Sequence, residues 1–181
     1  AALRGYALPR ATLVLGGARS GKSRYAEELA RGSGLAPVYL ATATAGDAEM
    51  AERIAAHRAR RGDPWTTVEE PIRLAGALAC TVGPGRVVVV DCLTLWIATL
   101  LGAGRDVAAA SAELAGLLAS LPGPAILVAN EVGLGIVPEN ALARAFRDAA
   151  GRLNQEMAAR CDRVVLVAAG LPLVLKEERG T

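Results

Sequence analysis

Gly16-Gly17-Ala18-Arg19-Ser20-Gly21-Lys22-Ser23 stands between a short apolar run, Thr12-Leu13-Val14-Leu15, and a helix-forming segment, Arg24-Tyr25-Ala26-Glu27-Glu28-Leu29-Ala30. The octet has the pattern G-x-x-x-x-G-K-S, and a strand before it and a helix after it are the setting in which that pattern holds phosphate. Glycines let backbone N–H groups curl around a polyphosphate, and the helix N-terminus adds its partial positive charge. In such a loop Lys22 reaches the β- and γ-phosphates and the Ser23 hydroxyl sits on Mg2+. Lysine is scarce here: Lys22 and Lys176 are the only two, and every other cationic side chain is arginine. A lysine kept at position 22 by such a chain reads as chemistry. The sequence implies a nucleotide-binding protein.

The rest of the chain fits one domain built around that loop. At 181 residues it has room for a single proper core, and we expect one domain over 1–181 with 1–10 as an N-terminal extension. A hydrophobic content of 52% with 21% charged residues excludes a disordered chain, and 3% aromatics leave the core to Ala, Val and Leu. A net charge of +2 gives no nucleic-acid footprint. Cys80, Cys92 and Cys161 are odd in number and far apart, which suits reduced, mostly buried thiols better than disulfides or a zinc site. The most apolar stretch, 87–101, is too short to span a bilayer, and the N-terminal residues lack a signal-peptide pattern. A cytoplasmic protein without a membrane anchor is expected.

Strands are expected at 12–15, 37–42, 65–68, 87–91, 125–129 and 163–168, with a short one at 173–175. Helices are expected at 24–30, 47–61, 71–80, 93–101, 107–121 and 139–160, the third opened by Pro71. Near-continuous apolar runs such as Val87-Val88-Val89-Val90 belong to parallel strands covered on both faces. Alternation of such strands with helices predicts an α/β fold with a mainly parallel central sheet flanked by helices.

Asp91 closes the valine run, where a carboxylate at a strand tip holds Mg2+ directly or through water, or caps the helix that follows. His57 is the sole histidine, and at helical spacing it has Arg53, Arg60 and Arg61 for neighbours. Two readings are open. It is a histidine at the edge of an apolar stripe with solvated arginines, or a ring kept neutral and nucleophilic by guanidiniums that also clamp a phosphate. Glu69 and Glu70 either contact a ribose, a base or a second metal, or form a solvated turn. The loop Asn130-Glu131-Val132-Gly133-Leu134-Gly135-Ile136-Val137-Pro138 follows a buried strand at the phosphate-binding end, as a substrate loop or as a tight connection.

Taken together, GGARSGKS at 16–23, YLATA at 39–43, DAEMAERIAAHRARR at 47–61, WTTVEEP at 65–71, VVDCLTLW at 89–96 and NEVGLGIVPEN at 130–140 carry a resemblance over 12–176. The chain resembles the bifunctional adenosylcobinamide kinase / adenosylcobinamide-phosphate guanylyltransferase family of cobalamin biosynthesis. That resemblance implies a RecA-like P-loop NTPase fold and a homotrimer with the histidine helix near a subunit boundary. It implies phosphorylation of the aminopropanol hydroxyl of adenosylcobinamide by ATP or GTP. Transfer of GMP from GTP onto that phosphate would then release pyrophosphate. By the same matching His57 carries GMP covalently, with Lys22 as its catalytic partner at the phosphates. The nucleotide site comprises Gly16, Gly17, Ala18, Arg19, Ser20, Gly21, Lys22, Ser23, Ala41, Thr42, Ala43, Arg58, Ala59, Arg60, Arg61, Glu69 and Asp91, and Mg2+ falls to Ser23 and Asp91. The chain departs from the pattern at Ala98-Thr99, where the family carries an Asn. The rival readings are a P-loop small-molecule kinase without a covalent step and a RecA-like or GTPase binding module. The latter would show an N-K-x-D motif, which is missing.

Overall fold

The computed structural model describes residues 7–43 and 64–178, and between them residues 52, 55, 59, 61 and 62. Seven strands form one sheet: β1 (Ala11–Gly16), β2 (Ala36–Ala41), β3 (Thr66–Glu69), β4 (Arg86–Asp91), β5 (Ala125–Asn130), β6 (Arg163–Ala168) and β7 (Leu171–Glu177). Their order across the sheet is β3-β2-β4-β5-β1-β6-β7. All neighbouring pairs are parallel except β6 with β7. The described helices that have defined bounds are α1 (Lys22–Gly32), α2 (Leu74–Thr81), α3 (Leu93–Gly102), α4 (Val107–Leu118) and α5 (Ala141–Arg160).

The apolar runs read as doubly covered strands are so placed. Val87, Val88, Val89 and Val90 are each 0% exposed, and a valine buried to that degree contributes about 1.5–3 kcal/mol. Because side chains alternate along a strand, each run serves two cores. Leu13, Leu15, Val88, Val90 and Leu127 face α2, α3, α4 and α5, packing with Leu78, Trp96, Leu114 and Leu153. Val14, Tyr39, Val87, Val89, Ile126, Val128 and Val167 face α1, packing with Ala26, Leu29 and Ala30. The extension at 1–10 is partly described: Leu8 packs against the α1-side core and the Arg10 carbonyl accepts from Ala125 N at 2.9 Å.

Three expectations are corrected. Pro71 does not open a helix; α2 begins at Leu74, because Glu70 Oε1 accepts from the N–H groups of Ile72 (2.9 Å) and Arg73 (2.8 Å) and holds 70–73 as a turn. The long helix starts at Ala141 rather than 139, since Asn140 Oδ1 accepts from Leu142 N at 2.7 Å and caps it. The last strand is longer than 173–175 and antiparallel. Ala169 (φ 51) and Gly170 (φ 78) form a two-residue turn with both central residues left-handed, the geometry that joins hairpin strands. The expected helix over 47–61 lies mostly outside the described residues, among which 52, 55, 59 and 61 are helical.

Candidate functional site

Gly16 ends β1 at the carboxyl edge of the sheet, and Lys22 begins α1 five residues beyond Gly17. The loop between them turns back on itself: Ser20 N donates to Gly17 O at 3.3 Å and Gly170 N to Ser20 O at 2.8 Å. A Cβ at Gly16 would run into Ser20 Oγ and come within 2.6 Å of the Val167 carbonyl oxygen, so glycine is required there for close approach. Gly21 has φ 97 and lies against Gly170. Lys22 is only 9% exposed, and its Nζ donates to Gly17 O at 3.1 Å, which folds the ammonium over the loop. No side chain caps α1, and its first turn holds no acidic residue, so the helix end presents its N–H groups and partial charge to an anion. Gly17, Ala18 and Arg19 form the exposed crown of the loop, and Arg19 holds a left-handed φ of 57.

Asp91 lies two strands away, at the tip of β4 on the α1 face of the sheet. Its carboxylate is hydrogen-bonded by the Tyr39 hydroxyl, while its Oδ2 is buried without a hydrogen-bond partner. Burial, with the Asp91 charge second, pushes the Tyr39 hydroxyl far above its ordinary value, so Tyr39 stays a donor. The same two causes push the Cys92 thiol up to about 12, and the Lys22 charge partly opposes them. A buried carboxylate oxygen without a donor fits a cation or a cation-bound water, and Ser23 at the start of α1 adds a hydroxyl. Among the described residues no three His, Cys, Asp or Glu groups converge on a metal site. A divalent ion here would therefore lean on Asp91, Ser23 and the nucleotide's own phosphates.

The remaining expected site residues are placed unevenly. Ala41 ends β2 and Thr42 and Ala43 follow it at the same sheet edge, but the polar groups of Ala41 and Thr42 hold strand ends together. Thr42 Oγ1 donates to Cys92 O (2.7 Å) and accepts from Cys92 N (2.9 Å), and the Ala41 carbonyl accepts from Glu70 N at 2.9 Å. Glu69 is exposed at the end of β3. Arg61 is buried, with its guanidinium carbon 3.5 Å over the Tyr39 ring and its Nη1 4.0 Å from Glu27 Oε1. Arg31 Nη2 donates to the Arg61 carbonyl at 2.9 Å, and Arg31 lies over Trp65. So placed, Arg61 packs between α1 and β2, and its Nη1 is buried without a hydrogen-bond partner. Ala59 is exposed, and His57, Arg58 and Arg60 lie outside the described residues.

Sequence reasoning missed Tyr39 as a partner of Asp91, and Thr94, whose Oγ1 accepts from Asn130 N at 2.7 Å. Strand alternation was the available signal, since Tyr39 and Asp91 each occupy the α1-facing register.

The fold and this edge define a RecA-like P-loop nucleotide-binding protein. Flagellar accessory protein FlaH of Methanocaldococcus jannaschii superposes with a TM-score of 0.55 at 14% identity, covering 98% of this chain and 83% of that one. A prototypical type III secretion ATPase superposes at 0.53 and 12% identity, covering 96% and 59%. At such identities these neighbours speak to the fold alone. The model of the family described as cobinamide kinase / cobinamide phosphate guanyltransferase matches residues 12–175. A bifunctional adenosylcobalamin biosynthesis protein, CobP, of Pseudomonas aeruginosa is 54% identical over 92% of this chain and 97% of its own length. Its counterpart CobU of Escherichia coli is 42% identical over 91% and 98%. The chain belongs to the cobinamide kinase / cobinamide phosphate guanyltransferase family and is an enzyme of that kinase and nucleotidyltransferase class.

Proposed function

We propose that this chain acts in adenosylcobalamin synthesis by two successive transfers. The first places the γ-phosphoryl group of ATP or GTP on the aminopropanol hydroxyl of adenosylcobinamide. The second moves GMP from GTP to that phosphate through a guanylyl-His57 intermediate. The observation that carries this reading is the closed P-loop: an uncapped helix end, a folded-over Lys22, and Asp91 with an oxygen left free of donors on the same face.

In the first step the substrate oxygen attacks the γ-phosphorus and the bond to the β-phosphate oxygen breaks. Loop amides and Lys22 hold the charge that spreads over the phosphate oxygens. In the second step a neutral His57 nitrogen attacks the α-phosphorus of GTP and pyrophosphate leaves. A phosphate oxygen of the substrate then attacks the guanylyl phosphorus, the P–N bond breaks, and the imidazole is restored. Splitting one displacement into two lowers each barrier. Mg2+ held by Ser23 and Asp91 would offset phosphate charge when bound with the nucleotide.

The protein is proposed to work in the cytoplasm as a homotrimer; among the described residues no helix is long and apolar enough to cross a membrane. Leu171, Leu173 and Leu175 on β7 are 73%, 59% and 56% exposed, an apolar edge suited to a subunit contact.

The test is product analysis by mass spectrometry after incubation with adenosylcobinamide, Mg2+ and each nucleotide. The expected products are the corrinoid phosphate and then its GDP derivative. His57→Ala should stop at the phosphate. A variant that still forms the GDP derivative would overturn the covalent route, and wild-type protein forming neither product would overturn the reading as a whole.

A further inference from the structure

Asn130 ends β5, directly beside the P-loop strand: its Cα pairs with that of Gly16, and Glu131 N donates to Gly16 O at 3.0 Å. Its backbone is fully employed. The N–H donates to Thr94 Oγ1 at 2.7 Å, and the carbonyl accepts from Asn154 Nδ2 at 3.3 Å. Thr94 and Asn154 are themselves buried, so the residue is held from α3 and α5. The side chain continues the register of Ile126 and Val128, hence the face of the sheet that carries Asp91, Tyr39 and α1. There its Oδ1 is buried and without a hydrogen-bond partner. An unmade hydrogen bond at a buried acceptor is costly, and a ligand O–H arriving at this edge of the sheet supplies the missing donor.

The geometry points to Asn130 as the residue that receives the O–H of the phosphoryl acceptor, an inference resting on the kinase reading above. The donor must carry a proton and approach the sheet edge between the loop that holds the γ-phosphate and Asp91, as an attacking alcohol does. An amide oxygen is too weak a base to take the proton. It orients the alcohol so that an oxygen lone pair faces the γ-phosphorus. As the P–O bond to the nucleoside diphosphate breaks and the new P–O bond forms, the proton passes to a phosphoryl oxygen and on to solvent. The guanylyl transfer has no such need, because its acceptor is a phosphate oxygen that brings no O–H at pH 8.

The test compares the two half-reactions in Asn130→Leu, which fills the space without an acceptor, and Asn130→Ser, which retracts the oxygen, at pH 8. Kinase turnover should fall about 100-fold in each. Nucleotide affinity, KM for GTP and guanylyl transfer to pre-phosphorylated adenosylcobinamide should stay within about threefold of wild type. Should the leucine variant not fold, the serine variant decides alone. Equal loss of both reactions, with a shifted Mg2+ requirement, would mean that the donor is a metal-bound water and would overturn the assignment. Unchanged kinase turnover would overturn it as well. Wild-type protein lacking both reactions would instead remove the functional reading on which it rests.

Discussion

Lys22 shows how one side chain is committed by its surroundings. It is nearly buried and bent onto the loop, where its Nζ donates to the Gly17 carbonyl. Lys22→Met keeps most of the packing and removes the charge. Its turnover should fall at least 100-fold with an unchanged melting temperature, as measured by steady-state kinetics beside calorimetry. Glu70 is fixed in the opposite sense. The N–H groups of Arg73 and Ile72 hold its carboxyl below the usual range. A folded-state value below the unfolded one stabilises above the unfolded carboxylate range, near 4.5, and that contribution fades as pH falls through the folded value. Glu70→Gln should therefore destabilise the protein at pH 7 and converge with wild type in acid, as read by urea unfolding at a series of pH values.

At the scale of elements, the strand–loop–helix at 11–32 was legible because its turn chemistry and its apolar period agree. Why Gly16 must be glycine was not. The reason is the Val167 carbonyl on β6, some 150 residues away in the chain, and long-range approach leaves no local mark. Gly16→Ala should push the loop from β6, cost about 1–3 kcal/mol, and weaken nucleotide binding at least tenfold by titration calorimetry. The β6–β7 hairpin was half legible. The short strand expected at 173–175 lies inside β7, but Ala169 in a left-handed turn position is a residue that turn rules disfavour, so the turn and the start at Leu171 left no signal. The start of α2 was misread because Pro71 is a sound helix opener, and only the reach of Glu70 to two N–H groups shows that the turn wins. The four valines before Asp91 were enough to place it at a strand tip, whereas its neighbour Tyr39 needed β2 and β4 set side by side.

For the whole molecule, two cores on one sheet decide which chemistry is open to solvent. Cys92 and Cys161 lie in those cores, and burial, followed by Asp91 and Asp162 respectively, pushes each thiol up to about 12. Cys80 is exposed on α2, which leaves two of the three thiols buried, as the expectation of mostly buried thiols had it. A thiol reagent at pH 8 should modify one cysteine rapidly in the native protein and all three once it is unfolded. The carboxyl edge of the sheet gathers the P-loop, Asp91 and Asn130 from β1, β4 and β5, which is where an open parallel sheet binds ligands. This edge is proposed to serve a covalent nucleotidyl transfer as well as a kinase. The protein should be incubated with Mg2+ and GTP labelled on the α-phosphate, beside His57→Ala. Acid-labile, alkali-stable label on wild type that is lost in the variant is the predicted result. Folded, nucleotide-binding wild type that takes up no label would contradict it.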